Sequence, residues 1–176
     1  MSLLHTSTPE NATGQVKEIY DQITAAFGHV PNALQTLSTS PALLAKQWQT
    51  IGYYMQHPHL SFNLLAMLRM LISEKTGCHY CVGFNAAMLV NMGGVSLEQI
   101  AATKQDPQNA PLPAGELAML LFVLRATQGT PATADDIAQL KAAGWNDTDI
   151  YDALAHGASM VATDIIFNTL GINNDF

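Results

Sequence analysis

The sequence has little charge and almost no cysteine. Asp, Glu, Lys and Arg make up 12% of the 176 residues, only seven of these residues are basic, and the net charge is −7. Binding to nucleic acid or to an anionic membrane surface needs clustered positive charge, so neither is expected as a partner. No apolar run approaches the roughly 18–20 residues of a membrane span. Residues 1–10 lack the basic end and apolar core of a secretory signal. We therefore expect a cytoplasmic protein.

The apolar content is high for so weakly charged a chain. Apolar residues make up 48% of the sequence, and this surface must be buried in a core or between subunits. We therefore expect a homo-oligomer, a dimer, trimer or hexamer. The length fits a single domain over residues 1–176, with N-terminal helices in 1–60, a cysteine-bearing core in 61–128 and C-terminal helices in 129–176.

Glycine and proline divide the chain into helix-sized segments with no strand-like alternation. Capping residues such as Asn11 or Thr13, Ser61, Ser96 and Thr133 mark the predicted helix starts. The pattern predicts an all-α, multihelical bundle. The predicted helices span approximately residues 13–27, 32–37, 41–55, 61–77, 78–92, 96–104, 116–128, 133–143 and 146–170. The similar stretches Leu64–Leu68 and Leu117–Leu120 hint at a duplicated helical unit.

Both cysteines of the chain, Cys78 and Cys81, lie three residues apart beside Gly77. Residues at this spacing share a face of a helix, with Cβ atoms about 5–6 Å apart, so a disulfide can close with little backbone movement. So short a loop constrains the unfolded chain very little, which makes stability a poor reason for the pair. The spacing instead indicates redox chemistry or metal binding.

A helix that starts just after Gly77 would place both thiols in its first turns. The positive end of the helix dipole favours a thiolate there and lowers the thiol pKa. A thiolate that attacks a peroxide becomes a sulfenic acid, and the second cysteine then condenses with it to form a disulfide. Asn85, four residues after Cys81, can donate a hydrogen bond to the Cys81 sulfur.

The proton acceptor for this chemistry is less evident. On a continuous helix Glu74 would lie in one stripe with Cys78, Cys81 and Asn85, but a kink at Gly77 would break that register. His79 points about 100° away from Cys78 around the helix, which favours the surface or the rim of a pocket. His156, among Ala and Gly on the last helix, is a packed core histidine or an accessory base.

Two further interpretations concern metal and charge. His57 and His59 could complete a Cys₂His₂ zinc set with the two cysteines, although the loop around Pro58 is stiff and the spacing fits no common finger. Arg69, Arg125 and Asp164 all lie in apolar helices. Because buried charges need partners, we expect one of the arginines to pair with Asp164.

Three segments carry a resemblance to a known family: Phe27-Gly28-His29-Val30-Pro31-Asn32-Ala33-Leu34, the Ser40-Pro41 helix start and Gly77-Cys78-His79-Tyr80-Cys81. They resemble the alkylhydroperoxidase AhpD-like, carboxymuconolactone decarboxylase superfamily, and in particular its peroxidase-related branch. The resemblance implies an all-α homo-oligomer, without metal or cofactor, that reduces organic hydroperoxides or small disulfides. By the same resemblance Cys81 attacks the peroxide, Cys78 resolves the sulfenic acid, and a lipoyl-bearing or thioredoxin-like dithiol protein regenerates the pair.

The chain departs from the family pattern at two positions. The family has a His where this sequence has Asn85, and a Glu where it has Ala66; in the family these two groups form a proton relay. Glu74 is the candidate replacement for the lost carboxylate. A non-enzymatic redox sensor or binding module, with the relay lost, is the alternative function. The paired cysteines disfavour lactone decarboxylation.

Overall fold

In a computed structural model, residues 3–176 are described, and this part of the chain is helical with no β-strand. The prediction of an all-α protein is confirmed. The nine α-helices of the described residues are α1 (Gly14–Phe27), α2 (Asn32–Thr36), α3 (Pro41–Met55), α4 (Phe62–Thr76), α5 (His79–Asn91), α6 (Leu97–Gln105), α7 (Ala114–Thr127), α8 (Ala134–Ala142) and α9 (Asp147–Leu170). None of these helices combines the length and hydropathy needed to cross a membrane.

Polar side chains begin several helices where the sequence predicts a start. The Ser61 hydroxyl accepts a hydrogen bond from the Leu64 backbone N–H at 3.1 Å at the start of α4. Ser96 and Thr133 form reciprocal capping boxes at the starts of α6 and α8. Such caps satisfy N–H groups that have no partner within the helix. The predicted helices consequently agree with the structure to within about two residues.

The chain folds into two compact units. Unit one contains Met1–His57 and Phe167–Asp175, and unit two contains Pro58–Ile166 and Phe176. The core of unit one forms where Ile19, Tyr20 and Ile23 of α1 join Leu44 of α3. The single domain predicted from length stays a prediction, as do the duplicated unit and the oligomer.

Unit two contains both cysteines and is organised around α4. Nine of the fifteen residues of this helix are buried, and α4 packs against α5 and α7. On α9, Gly157 allows close packing, because a Cβ atom there would lie 2.5 Å from Val123 of α7 and 3.3 Å from Ile72 of α4. This approach brings polar residues of α9 to the helices that frame the cysteines.

A glycine separates α4 from α5. Gly77 follows the last residue of α4 with a φ of 74°, in the left-handed region that glycine adopts easily. Cys78 has non-helical backbone angles, φ −81° and ψ 88°, and α5 begins at His79. The break at Gly77 is therefore real, and α4 and α5 do not form the continuous helix that would place Glu74 in one stripe with the cysteines.

Candidate functional site

The two cysteines meet a carboxylate inside unit two. Cys78 precedes the first residue of α5, Cys81 lies in its first turn, and Asp164 comes from α9. One ligand atom of each residue, the two Sγ atoms and a carboxylate oxygen, lies within 4.8 Å of the others. The exposed fractions of Cys78, Cys81 and Asp164 are 1%, 3% and 0%. The site is thus a closed cluster of two thiols and one acid.

Hydroxyl groups of α4 hold Asp164 in place. Ser73 Oγ donates to one carboxylate oxygen at 3.0 Å, and Thr76 Oγ1 donates to the other at 2.6 Å. Both donors lie in the last turn of α4, directly before the glycine that begins the approach to Cys78. The turn that ends α4 therefore positions both the carboxylate and the first thiol.

The predicted Arg–Asp164 ion pair is wrong. Arg125 pairs with Asp136, and Arg69 donates from Nε to Asn85 Oδ1 at 2.6 Å and contacts His156 Nε2 through Nη1 at 3.2 Å. The reason is helix register. Arg69 meets α9 at His156, eight residues before Asp164, which is about 12 Å along a helix axis.

The pKa values of the two thiols are raised, whereas their position at the start of a helix predicts lowered ones. Burial raises the pKa of Cys81 well above its usual range, and its hydrogen bonds with Cys78 and Asp164 raise it further. Burial also raises the pKa of Cys78, opposed in part by its interactions with Cys81. The expectation of a lowered thiol pKa is wrong here, because desolvation of a thiolate outweighs the helix dipole in this cluster. Both residues are free thiols, protonated at neutral pH.

Asn85 is buried, and its side chain hydrogen-bonds the backbone of Cys81 and not the sulfur. Its Nδ2 donates to the backbone carbonyl of Cys81 at 2.8 Å, while its Oδ1 accepts from Arg69. The expected hydrogen bond to the Cys81 sulfur is replaced by one to the Cys81 backbone. Asn85 thereby links the first turns of α5 to Arg69 on α4.

Glu74 and His79 lie outside the cluster. Glu74 forms an ion pair with Lys104 at 2.8 Å and lines a cavity of about 460 Å³ together with Leu121 and Arg125 of α7. His79 is exposed to solvent, as its direction around the helix predicts. The break at Gly77 accounts for Glu74, because its side chain follows α4 and not α5. A catalytic role for either residue stays a prediction.

His156 is buried and neutral. Burial and the neighbouring charge of Arg69 lower its pKa to about 3, against a hydrogen bond with the Leu65 backbone that raises it. Since a guanidinium can only donate, Nε2 of His156 accepts from Arg69, and the other ring nitrogen carries the proton. His156 therefore belongs to the Arg69 group and not to the thiol cluster.

The thiol cluster is also the group of side chains best placed for a metal ion. Within residues 3–176, Cys78, Cys81 and Asp164 form the only group of three or more potential ligands at this spacing. His59 instead contacts Asp149, with 2.9 Å between Nδ1 and Oδ1, and the His57 ring packs against Tyr53. The predicted Cys₂His₂ set is therefore not formed by these residues.

Sequence reasoning singled out Asp164 but missed its place beside the thiols. Two features of the sequence could have indicated this position. One is the lone acid in the apolar stretch 160–167, and the other is the pair of hydroxyl residues Ser73 and Thr76 on one face of α4, the apolar helix before the cysteines. A buried carboxylate needs donors, and hydroxyl groups supply them as well as an arginine does. The sequence alone does not show which donors α9 meets.

Three solved structures share this arrangement of helices. An uncharacterized peroxidase-related protein from Ralstonia eutropha JMP134, described as an alkylhydroperoxidase AhpD core, superposes with a TM-score of 0.85 over 99% of this chain and 92% of its own, at 20% identity. The fold is AhpD-like. An uncharacterized peroxidase-related protein from Silicibacter sp. TM1040 gives the same TM-score and coverage at 19% identity.

The AhpD-like fold also occurs in a protein with another activity. The debrominase Bmp8, as a variant in complex with 2,3,4-tribromopyrrole, superposes with a TM-score of 0.72 over 98% of this chain and 94% of its own, at 15% identity. No protein-family model and no curated protein matches the sequence. The resemblance seen in the sequence is thus confirmed at the level of the fold.

Proposed function

We propose that this protein is a thiol-dependent peroxidase or disulfide reductase that uses Cys78 and Cys81 as a redox pair. The observation that carries the proposal is the grouping of both sulfurs with a carboxylate oxygen of Asp164 within 4.8 Å. Two thiols at this separation can pass between the dithiol and the disulfide form. The adjacent carboxylate supplies a proton acceptor, which is the group that the sequence did not reveal.

In the first step Cys81 attacks an organic hydroperoxide. As the S–O bond forms and the O–O bond breaks, the thiol proton passes to Asp164 and then to the departing oxygen, which leaves as an alcohol. Cys81 becomes a sulfenic acid. General-base catalysis suits this site, because the raised pKa of the Cys81 thiol leaves almost no thiolate at neutral pH.

In the second step Cys78 attacks the Cys81 sulfenic sulfur. A disulfide forms, and the sulfenic oxygen leaves as water with the proton of the Cys78 thiol. An external dithiol, on a lipoyl-bearing or thioredoxin-like protein, then reduces the disulfide by two exchange steps. Because both sulfurs are buried, the cycle includes an opening of the cluster to admit the peroxide and the reductant.

Replacement of single cysteines tests the proposal. With dithiothreitol as reductant and cumene hydroperoxide as substrate, Cys81→Ser should abolish peroxide consumption. Without reductant, Cys78→Ser should consume one equivalent of peroxide and retain a sulfenic acid on Cys81, detected by mass after trapping with dimedone. Continued turnover in Cys81→Ser would end the proposal. A disulfide that forms reversibly while peroxide consumption stays at background would instead indicate the redox sensor.

The same assay can follow debromination. Because a debrominase has this fold, bromide release from 2,3,4-tribromopyrrole in the presence of dithiol should be measured beside peroxide consumption. Release that depends on Cys81 would extend the substrate range of the pair, and its absence would confine the pair to peroxides or disulfides.

A second candidate function is binding of a thiophilic metal such as zinc. Two thiols and a carboxylate within 4.8 Å supply three of the four ligands that a tetrahedral zinc site uses. Elemental analysis of the purified protein decides between the candidates. A stoichiometric metal that is lost in Cys81→Ser supports the metal site, and a metal-free protein with reactive thiols supports the redox pair.

A further inference from the structure

Arg69 holds a positive charge inside unit two beside neutral groups. Its Nε donates to the side-chain oxygen of Asn85 at 2.6 Å, and its Nη1 lies 3.2 Å from Nε2 of His156. Within residues 3–176 no carboxylate forms an ion pair with this guanidinium. Of the two arginines in the chain, only Arg125 has an acidic partner, Asp136.

The charge of Arg69 persists despite its surroundings. Burial lowers the pKa of Arg69 to about 10, so the guanidinium is still protonated at neutral pH. His156 cannot neutralise it, since that imidazole accepts a hydrogen bond as a neutral ring. A buried charge without a counter-ion is costly, and departures of this kind are concentrated at functional sites. The two neutral acceptors orient the guanidinium and leave its charge uncompensated.

The same three helices carry the Arg69 group and the thiol cluster. On α4, Arg69 precedes Ser73 by one turn. On α5, Asn85 follows Cys81 by one turn. On α9, His156 precedes Asp164 by eight residues. At 1.5 Å per residue, these offsets separate the two groups by roughly 6–12 Å along the helix axes. Arg69 as a whole residue is partly buried, whereas both cysteines are almost fully buried, so Arg69 lies nearer to the solvent than the two sulfurs.

We propose that Arg69 binds the carboxylate of an anionic substrate whose S–S or O–O bond lies roughly 6–12 Å from that carboxylate. This inference rests on the proposed function and names its substrate class. A guanidinium suits the task because its planar N–H groups match the two oxygens of a carboxylate. Neutral partners are compatible with this role, because an acidic side chain bound to the guanidinium would compete with the carboxylate of the substrate.

Two aromatic disulfides test the charge preference. One is 5,5′-dithiobis(2-nitrobenzoate), which carries two carboxylates, and the other is the neutral 4,4′-dithiodipyridine. With either reagent, one protein sulfur attacks the disulfide and releases an aromatic thiol. The second protein sulfur then displaces the other aromatic thiol, so the protein dithiol is oxidised as the reagent is reduced.

In Arg69→Gln the second-order rate constant for the anionic reagent should fall by roughly tenfold or more, because a charge-assisted hydrogen bond is lost. The rate for the neutral reagent should change less than about twofold.

Two variants control this measurement. Arg69→Lys keeps the charge but not the planar fork, and should retain part of the preference for the anionic reagent. Arg125→Gln removes the other arginine and should leave the preference unchanged. Equal losses for the two reagents in Arg69→Gln would overturn the inference, and so would loss of the preference in Arg125→Gln.

A binding measurement separates this inference from the proposed function and needs no variant at Arg69 to fold. Benzoate should bind the reduced wild-type protein and raise its melting temperature, whereas the neutral analogue benzamide should not. Benzoate binding that persists in Arg125→Gln and is lost in Arg69→Gln, in a protein whose thiols consume no peroxide, would reject the proposed function and keep the anion site. Peroxide turnover without benzoate binding and without charge preference would reject the anion site alone.

Discussion

The carboxyl group of Asp164 has hydroxyl and thiol groups as its neighbours. Ser73 and Thr76 donate to its two oxygens, and Asp164 in turn raises the pKa of the Cys81 thiol through their hydrogen bond. In the proposed cycle this carboxylate takes the thiol proton at the moment of attack. The lone acid in an apolar helix is therefore our candidate for the proton acceptor that the sequence left open.

Asp164→Asn should slow peroxide consumption at pH 7 by roughly 10²–10⁴-fold, the range that general-base catalysis usually contributes. The loss should shrink at alkaline pH, where hydroxide takes the thiol proton without help. The measurement is the pH profile of peroxide consumption. Asp147→Asn is the matched control, because that carboxylate is 81% exposed and pairs with Lys141. A profile of Asp164→Asn that is parallel to wild type would contradict the assignment.

His156 should make folding stability depend on pH. Its pKa is about 3 in the folded protein, against an ordinary value of 6.5, because of burial and Arg69. Below pH 6.5 the His156 imidazole is therefore protonated in the unfolded chain but stays neutral in the folded chain until the pH falls toward 3. The stabilisation is fully present above pH 6.5 and is lost as the pH falls toward 3, at up to about 1.4 kcal/mol per pH unit.

Urea unfolding of wild type and His156→Gln between pH 7 and pH 5 measures this dependence. The variant should show the shallower decline, and carboxylate titrations cancel in the comparison. His79→Gln, which changes an exposed histidine, should keep the wild-type slope. Equal slopes for wild type and His156→Gln would show that the imidazole titrates normally in the folded protein.

The closeness of Cys78 and Cys81 could be predicted from sequence because their spacing is local, three residues along the chain; their redox role stays a prediction. Asp164 and Arg69 could be identified as unusual charges, yet their partners depend on how α9 and α4 are aligned. A shift of two turns decides whether Arg69 meets His156 or Asp164, and no local pattern sets that shift. The raised pKa of Cys81 was missed for the same reason, since burial is a tertiary property.

At the scale of the helices, Gly157 sets how closely α9 approaches its neighbours. A Cβ atom there would lie 2.5 Å from Val123 and 3.2 Å from Thr127, both on α7. Gly157→Ala should destabilise the protein by about 1–3 kcal/mol, the usual cost of overpacking. Urea unfolding at pH 7 measures the change.

Gly52→Ala is the matched control for this helix contact. Gly52 lies within α3, and a Cβ atom there would meet nothing within 4 Å. The same chemical change should stabilise the protein by about 0.5–1 kcal/mol, because alanine favours a helix over glycine. Similar effects at the two positions would show that close packing at Gly157 is unimportant.

The helices themselves were readable from sequence because their ends are marked by local chemistry. Ser61, Ser96 and Thr133 accept hydrogen bonds from the first turns that they begin, and Gly77 ends α4 in a left-handed conformation. These interactions join residues at most four apart in the chain, so the helix ends can be predicted from the sequence alone. The division into two units and the packing of α9 depend on distant contacts and were not predicted.

For the whole molecule, the apolar surface predicts self-association. Large apolar side chains that are at least half exposed occur in both units, including Leu43, Met55, Met92, Leu97 and Ile165. Multi-angle light scattering should give a mass of at least twice the 18.9 kDa of one chain. A mass of one chain at micromolar concentration would contradict the oligomer, and Leu43→Ser serves to test whether this surface contributes.

The position of Cys78 outside the regular turns of α5 has a consequence for signalling. Its backbone is non-helical, and the chain before it bends at Gly77. We therefore expect that closing a bond between the two sulfurs would rearrange one turn and leave the helical hydrogen bonds beyond it intact. The far-ultraviolet circular dichroism of the two redox forms should coincide. A partner protein that distinguishes the two redox forms would then have to bind at that single turn, because the remaining helices would have the same conformation in both forms.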